Sequence, residues 1–138
     1  MGQNLELALA EMAWQALARA YAPYSKFQVG AALLLKDGTT WTGCNVENAS
    51  YGGTICAERT AIVKAVSEGK LQPGGLDKVV VACNFEDDVW PCGICRQVIE
   101  EFCHADTEIL ISRKQGMIND RMKQSDLLPH AFGPSHLN

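Results

Sequence analysis

The chain has 138 residues, 47% of them hydrophobic, and a formal net charge of −4. That apolar mass suffices for the core of a single domain spanning residues 1–138. No basic run or basic–aromatic stretch interrupts the acidic balance, which argues against an extended polynucleotide footprint.

The first twenty residues carry Glu6 and Glu11 within their apolar pattern and lack a basic leader, so they do not read as a signal peptide. No apolar run reaches the length of a bilayer span, and the expected compartment is the cytoplasm. Leu5, Leu9, Met12, Ala13, Ala16, Leu17 and Ala20 recur at spacings of three and four, predicting an opening helix with Asn4 as its N-cap. Tyr21-Ala22-Pro23-Tyr24 ends it. Phe27 to Leu35 reads as a strand, Lys36-Asp37-Gly38 as a turn and Thr40 to Val46 as the returning partner. Glu47 to Thr54 is a polar loop, and its Gly52-Gly53 lacks the Lys-Ser/Thr that would follow in a phosphate cradle. A second helix is predicted from Cys56 to about Gly69, with Ile62, Ala65 and Val66 inward and Gly69 as its stop. Lys78 to Cys83 is a buried strand. Cys92 to about His104 is a third helix with Val98, Ile99 and Phe102 on its apolar face, followed by a strand at Glu108 to Ile111. The middle of Gln115 to Gln124 is taken as a short edge strand, and Ser125 to Pro129 as a capped turn of helix. This order gives a layered α/β fold with a mixed sheet.

The chemistry concentrates in two short motifs. Cys56-Ala57-Glu58 precedes Pro91-Cys92-Gly93-Ile94-Cys95 by thirty-three residues, counted from the glutamate. Three thiolates with a fourth position open suit a tetrahedral catalytic zinc. A glutamate beside one ligand is placed to move protons on and off a metal-activated water. A purely structural zinc would want a fourth Cys or His at knuckle spacing from Cys56, and none is there. Each cysteine also falls at or near a predicted helix start, where unpaired N–H groups stabilise a thiolate. Of the remaining cysteines, Cys83 and Cys103 read as reduced core residues, and a disulfide scaffold is disfavoured by the size of the core.

The order C-x-E then P-C-x-x-C matches the signature of zinc nucleobase deaminases in its three-cysteine form. Joined to Cys44-Asn45-Val46-Glu47-Asn48-Ala49-Ser50-Tyr51, to Arg59-Thr60 and to Arg96-Gln97, it resembles the small homotetrameric cytidine deaminases of pyrimidine salvage. The resemblance runs from about Ala22 through Leu127-Leu128-Pro129-His130-Ala131-Phe132 and includes Phe27-Gln28-Val29-Gly30-Ala31-Ala32. It implies a three-layer α/β/α sandwich around a mixed five-stranded sheet. It implies one Zn²⁺ per chain on Cys56, Cys92 and Cys95, with Glu58 as proton shuttle. Asn45 and Glu47 match a pair that hydrogen-bonds the ribose 3′-hydroxyl, Phe27 an aromatic against the pyrimidine, and Ala57 a residue whose main chain meets the base. Arg59 matches an arginine hydrogen-bonded to the thiolates, and Tyr51 and Phe132 match groups offered to a neighbouring subunit's site. Gly53 stands where bulkier residues are common.

By residue type alone these positions read more plainly. Phe27 would be core, Asn45 a turn residue, Glu47 a solvated carboxylate and Arg59 a surface helix charge. His104, His130 and His136 read as surface or capping residues, and Trp14, Trp41 and Trp90 as packing. The implied activity is that of a hydrolase acting on the C–N bond of a cyclic amidine. Zinc-bound hydroxide would attack C4 of cytidine or 2′-deoxycytidine, Glu58 would shuttle protons, and ammonia would leave. The implied partners are a small nucleoside and further copies of the chain in a homotetramer with shared active sites, with no nucleic acid and no membrane. A polynucleotide-editing deaminase, a deaminase of a nucleoside antibiotic and a non-catalytic zinc-stabilised interaction module remain alternatives at this stage.

Overall fold

The computed structural model of the protein describes residues 2–137. Its centre is a five-stranded sheet in the order β2-β1-β3-β4-β5, with β1 Val29–Leu35, β2 Thr40–Cys44, β3 Leu76–Cys83, β4 Cys103–Ser112 and β5 Asp120–Lys123. The β3–β4 pair is parallel and the other pairs antiparallel, so the sheet is mixed. Strands β1, β3 and β4 contain continuous apolar runs because both of their faces are covered.

Side chains alternate across a pleated strand. Leu33, Leu35, Val79, Val81, Ile109 and Ile111 therefore share one face, where they pack with Ala61, Ile62 and Ala65 of α2 (Ala57–Ser67) and Ile99 of α3 (Gly93–Phe102). Ala32, Leu34, Val80, Ala82 and Leu110 share the other face and meet Leu9, Ala10 and Ala13 of α1 (Gly2–Leu17). The result is the expected three-layer α/β/α sandwich. Two strand glycines allow the helices to lie close. A Cβ on Gly30 would stand 1.9 Å from the Ala13 carbonyl oxygen, and one on Gly43 would stand 2.5 Å from the Ala61 nitrogen.

Several boundaries differ from the sequence expectation. Helix α1 already includes Gly2, which puts Asn4 within its first turn instead of at the cap. Leu5 is exposed and Glu6 is buried in its place, because Glu6 accepts from Arg121 and pairs with Lys78. Val66 is exposed, while Ile62 and Ala65 are inward as expected. Strand β1 begins at Val29, two residues after Phe27. Strand β4 starts at Cys103, so His104 opens a strand instead of closing a helix. Thr107 Oγ1 fixes that start, donating to Leu76 O at 2.6 Å and accepting from His104 N at 2.8 Å. His104 is half-buried against Asp77 at 2.9 Å, more than a surface residue. The edge strand β5 occupies the latter part of the ambiguous segment, and α4 (Gln124–Leu127) starts without a side-chain cap.

Candidate active site

Helices α2 and α3 both rise from the sheet with a cysteine as N-cap. Cys56 and Cys92 have extended backbone there, with ψ of 158° and 169°, and neither thiol makes a capping hydrogen bond. Cys95 follows on the first turn of α3 and is fully buried. The three sulfurs lie within 4.8 Å of one another, with Cys56 and Cys92 Sγ 3.8 Å apart. Arg59, one turn into α2, donates from Nη2 to Cys56 Sγ at 3.5 Å, and its Nε is buried without a partner. Hydrogen bonding from Cys95, then from Arg59 and Cys92, pulls the Cys56 thiol down to about 5, while Cys95 is pushed up as the protonated partner. The remaining cysteines differ: burial pushes Cys83 and Cys103 up to about 11, as inert thiols behave. All six cysteines are free of disulfides.

Glu58 sits in the first turn of α2 with only 4% of its surface exposed. Burial pushes its carboxyl up to about 7, and the negative charge on Cys56 adds to the rise. A carboxyl so placed is ready both to hold and to release a proton near neutrality. It faces a cavity of about 300 Å³ that is also lined by Phe27, Asn45, Glu47, Ala57, Cys56 and Cys92.

Asn45 and Glu47 already carry structural duties. Asn45 Oδ1 accepts from Val29 N at 2.9 Å and Nδ2 donates to Phe27 O at 2.8 Å, which fixes the entry to β1. Glu47 accepts from the N–H groups of Tyr24 and Ser25 at 3.0 and 3.1 Å and from the Ser25 hydroxyl. The Ser25 hydroxyl foremost, then these N–H groups, holds the Glu47 carboxyl below the usual glutamate range. Each side chain keeps hydrogen-bonding capacity free for a ligand.

Tyr51 does not line this cavity. It stands 76% exposed in an adjoining hollow, edge-to-face with Tyr24 at 5.9 Å between ring centroids. Phe132 is also exposed, stacked on His136, with its carbonyl accepting from Gln97 Nε2 at 2.8 Å. Within one chain, neither ring reaches the cavity. The structure adds residues that the motif reading left out: Val89 and Trp90 form part of the wall, and Phe85 meets Phe27 edge-to-face at 5.9 Å. Their position just before Pro91-Cys92 was the available signal. Gly53 has room for a Cβ, with Asn48 at an ordinary 3.6 Å, so its small size does not reflect a tight site.

Comparison with known proteins gives a consistent result. Residues 3–111 match the family described as the cytidine and deoxycytidylate deaminase zinc-binding region. A cytidine deaminase of Halalkalibacterium halodurans is 49% identical over 130 residues, covering 94% of this chain and 96% of that protein. The crystal structure of cytidine deaminase from Burkholderia pseudomallei is 46% identical and superposes with a TM-score of 0.84 over 91% of this chain and 97% of its own. That from Mycobacterium tuberculosis is 41% identical with a TM-score of 0.73, over 91% and 95%. The family match spans the three-thiol cluster and Glu58, and on this evidence the chain belongs to the cytidine deaminase family.

Proposed function

We propose that the chain hydrolytically deaminates cytidine and 2′-deoxycytidine to uridine and 2′-deoxyuridine with release of ammonia, in cytoplasmic pyrimidine salvage. One observation carries the reading: a buried carboxyl, Glu58, beside three converging thiols in a cavity that also presents Asn45 and Glu47. The donor set fits Zn²⁺, since three soft sulfurs converge from two helix starts. Cys56, Cys92 and Cys95 would hold it, one ion per chain. When bound, Zn²⁺ supplies the Lewis acidity that makes water nucleophilic near neutral pH. Three thiolates and Zn²⁺ sum to a charge of −1, and Arg59 offsets it through its contact with Cys56.

The chain's own residues then divide the work. Glu58 takes a proton from the attacking water and delivers it to N3, which makes C4 electrophilic so that the water oxygen bonds to it. Glu58 next carries the proton of the new C4 hydroxyl to the amino group, and the C4–N bond breaks as the C4 carbonyl forms and ammonia leaves. Its raised pKa supports both transfers, because neither protonation state is strongly favoured near neutral pH. Phe27 stacks against the pyrimidine, the Ala57 main chain meets its edge, and Asn45 and Glu47 hold the 3′-hydroxyl. Tyr51 and Phe132, exposed here, complete neighbouring sites in a homotetramer.

The test adds cytidine or deoxycytidine to zinc-loaded protein and follows pyrimidine absorbance and ammonia together. Stoichiometric ammonia with the absorbance change is expected. Zinc-loaded protein that leaves both nucleosides intact would overturn the reading.

A further inference from the structure

The segment that delivers Cys92 to the thiol cluster is held in an unusual way. Residues 84–92 connect β3 to α3, form neither helix nor strand, and supply Val89 and Trp90 to the cavity wall. Among the described residues, no backbone–backbone hydrogen bond ties residues 84–91 to the rest of the chain. A segment without ladder bonds keeps its shape only through side-chain anchors. Two guanidinium groups provide them. Arg96, on α3, donates from Nε to Pro91 O at 2.6 Å and from Nη1 to Leu127 O at 2.9 Å. Arg113, at the end of β4, donates from Nε to Asp88 Oδ1 at 2.9 Å and from Nη1 to Glu86 O at 2.8 Å.

Arg113 has a rigid base. It follows Ser112, which is fully buried and accepts from Trp14 Nε1 at 2.8 Å. Its own N–H donates to Asn119 Oδ1 at 2.7 Å, and Asn119 N donates to Ile111 O at 2.8 Å. Asp120 also lies beside Asp88, so without Arg113 two carboxylates would face each other. The guanidinium therefore bridges a fixed strand end to the middle of the segment that forms one cavity wall. Phe85, in the same segment, meets the cavity residue Phe27 edge-to-face.

We propose that Arg113 is a positioning residue for the pyrimidine: through Asp88 and the Glu86 carbonyl it clamps residues 84–91, setting Val89 and Trp90 in the cavity wall and Phe85 against Phe27. The inference rests on the deamination reading of this cavity. Wall residues touch the ring alike in the ground and transition states, so loosening them raises KM more than it lowers kcat. Metal retention should be spared, because Pro91 and α3 are anchored separately by Arg96.

The experiment compares zinc-loaded wild type with Arg113→Gln, Asp88→Asn, the double variant and Arg113→Lys. Loss of the charge-assisted bond to Asp88 predicts KM for cytidine about tenfold higher in Asp88→Asn and at least as much higher in Arg113→Gln, which also gives up the bond to Glu86 O, with kcat changed less than about threefold in both. The double variant should be no worse than Arg113→Gln alone, since Asp88 acts through Arg113. Arg113→Lys, which keeps the charge near Asp88 but not the forked donors, should recover part of KM. With Trp14 and Trp41 retained, the emission that Trp90 contributes, taken as the difference from a matched Trp90→Phe protein, should be quenched more readily by acrylamide in Arg113→Gln. Unchanged KM and unchanged quenching would overturn the clamp, as would a loss confined to kcat. If wild type itself left cytidine intact, the functional reading would fail while the quenching comparison would still decide the clamp.

Discussion

Glu58 derives its character from its surroundings. The same residue type on an exposed helix start would be a solvated anion; here it is enclosed beside Cys56 and pushed up to about 7 by burial. Glu58→Gln retains shape and hydrogen-bonding capacity but cannot transfer a proton. It should keep its metal while losing about 10²–10⁴-fold or more in turnover, since the proposed mechanism gives this one residue several transfers. Elemental analysis beside single-turnover rates checks this, and near-normal deamination would contradict the assigned role. At this scale the sequence was most legible where residue type and spacing are both restrictive. C-x-E and P-C-x-x-C pointed to one metal cluster because few other chemistries want those residues in that order. Asn45 was less legible. Its amide fixes the entry to β1 by bonding Phe27 O and Val29 N, and side-chain-to-backbone pairing across sixteen or eighteen residues leaves no local pattern. Arg113 was illegible for the same reason: its partners lie 25 and 27 residues away.

Among the elements, α2 depends on a missing side chain. Gly43 on β2 lets the first turns of α2 rest against the strand, and a Cβ there would come within 2.7 Å of Ala57 O as well as 2.5 Å of Ala61 N. Both contacts are backbone, so the helix must shift as a body and take Cys56 and Glu58 with it. Gly43→Ala should destabilise the fold by about 1–3 kcal/mol through overpacking and weaken zinc retention. Thermal melts and chelator competition provide the measurement; Gly53→Ala, which has room, serves as the control. Helix α1 is fastened to the sheet by charge as well as by Leu9, Ala10 and Ala13. Glu6 accepts from Arg121 at 2.7 and 3.1 Å, and Lys78 bridges it to Glu108. Hydrogen bonding from Arg121, and then from Lys78, holds the Glu6 carboxyl below its usual range against the opposing effect of burial. A depressed carboxyl contributes stability above its unfolded value, about 4.3, and loses it as pH falls through the folded value. Wild type should therefore lose more stability on acidification in that window than Glu6→Gln does. Equal acid limbs in pH-dependent melts would contradict this. The sequence pattern placed Leu5 inward and gave no reason to bury Glu6, because Lys78, Glu108 and Arg121 lie on three different strands. Strand interiors were legible from unbroken apolar runs, whereas their ends were set by contacts such as Thr107 with Leu76.

For the whole molecule, one chain forms the fold and the thiol cluster by itself and leaves several large apolar side chains exposed. Tyr51 is 76% exposed, Phe132 56% and Ile94 62%, while Leu127 of the same tail is already buried in the chain's own core. Large exposed apolar side chains mark a surface that gains from being covered. The resemblance supplied the expectation of shared sites; what the monomer adds is that Tyr51 and Phe132 do not reach their own chain's cavity. In a closed assembly of dihedral symmetry the same pair can be offered to a neighbour at every site. Activity should then depend on protein concentration. Light scattering across a dilution series should show large particles dissociating, with specific activity falling in parallel while zinc stays bound. Phe132→Ala should lower activity without disturbing the thiol cluster, since its chain-internal tie is the backbone carbonyl to Gln97 and survives the change. A monomer retaining full activity at every dilution would show that one chain completes its own site, and would leave the zinc and Glu58 assignments to stand or fall on their own tests.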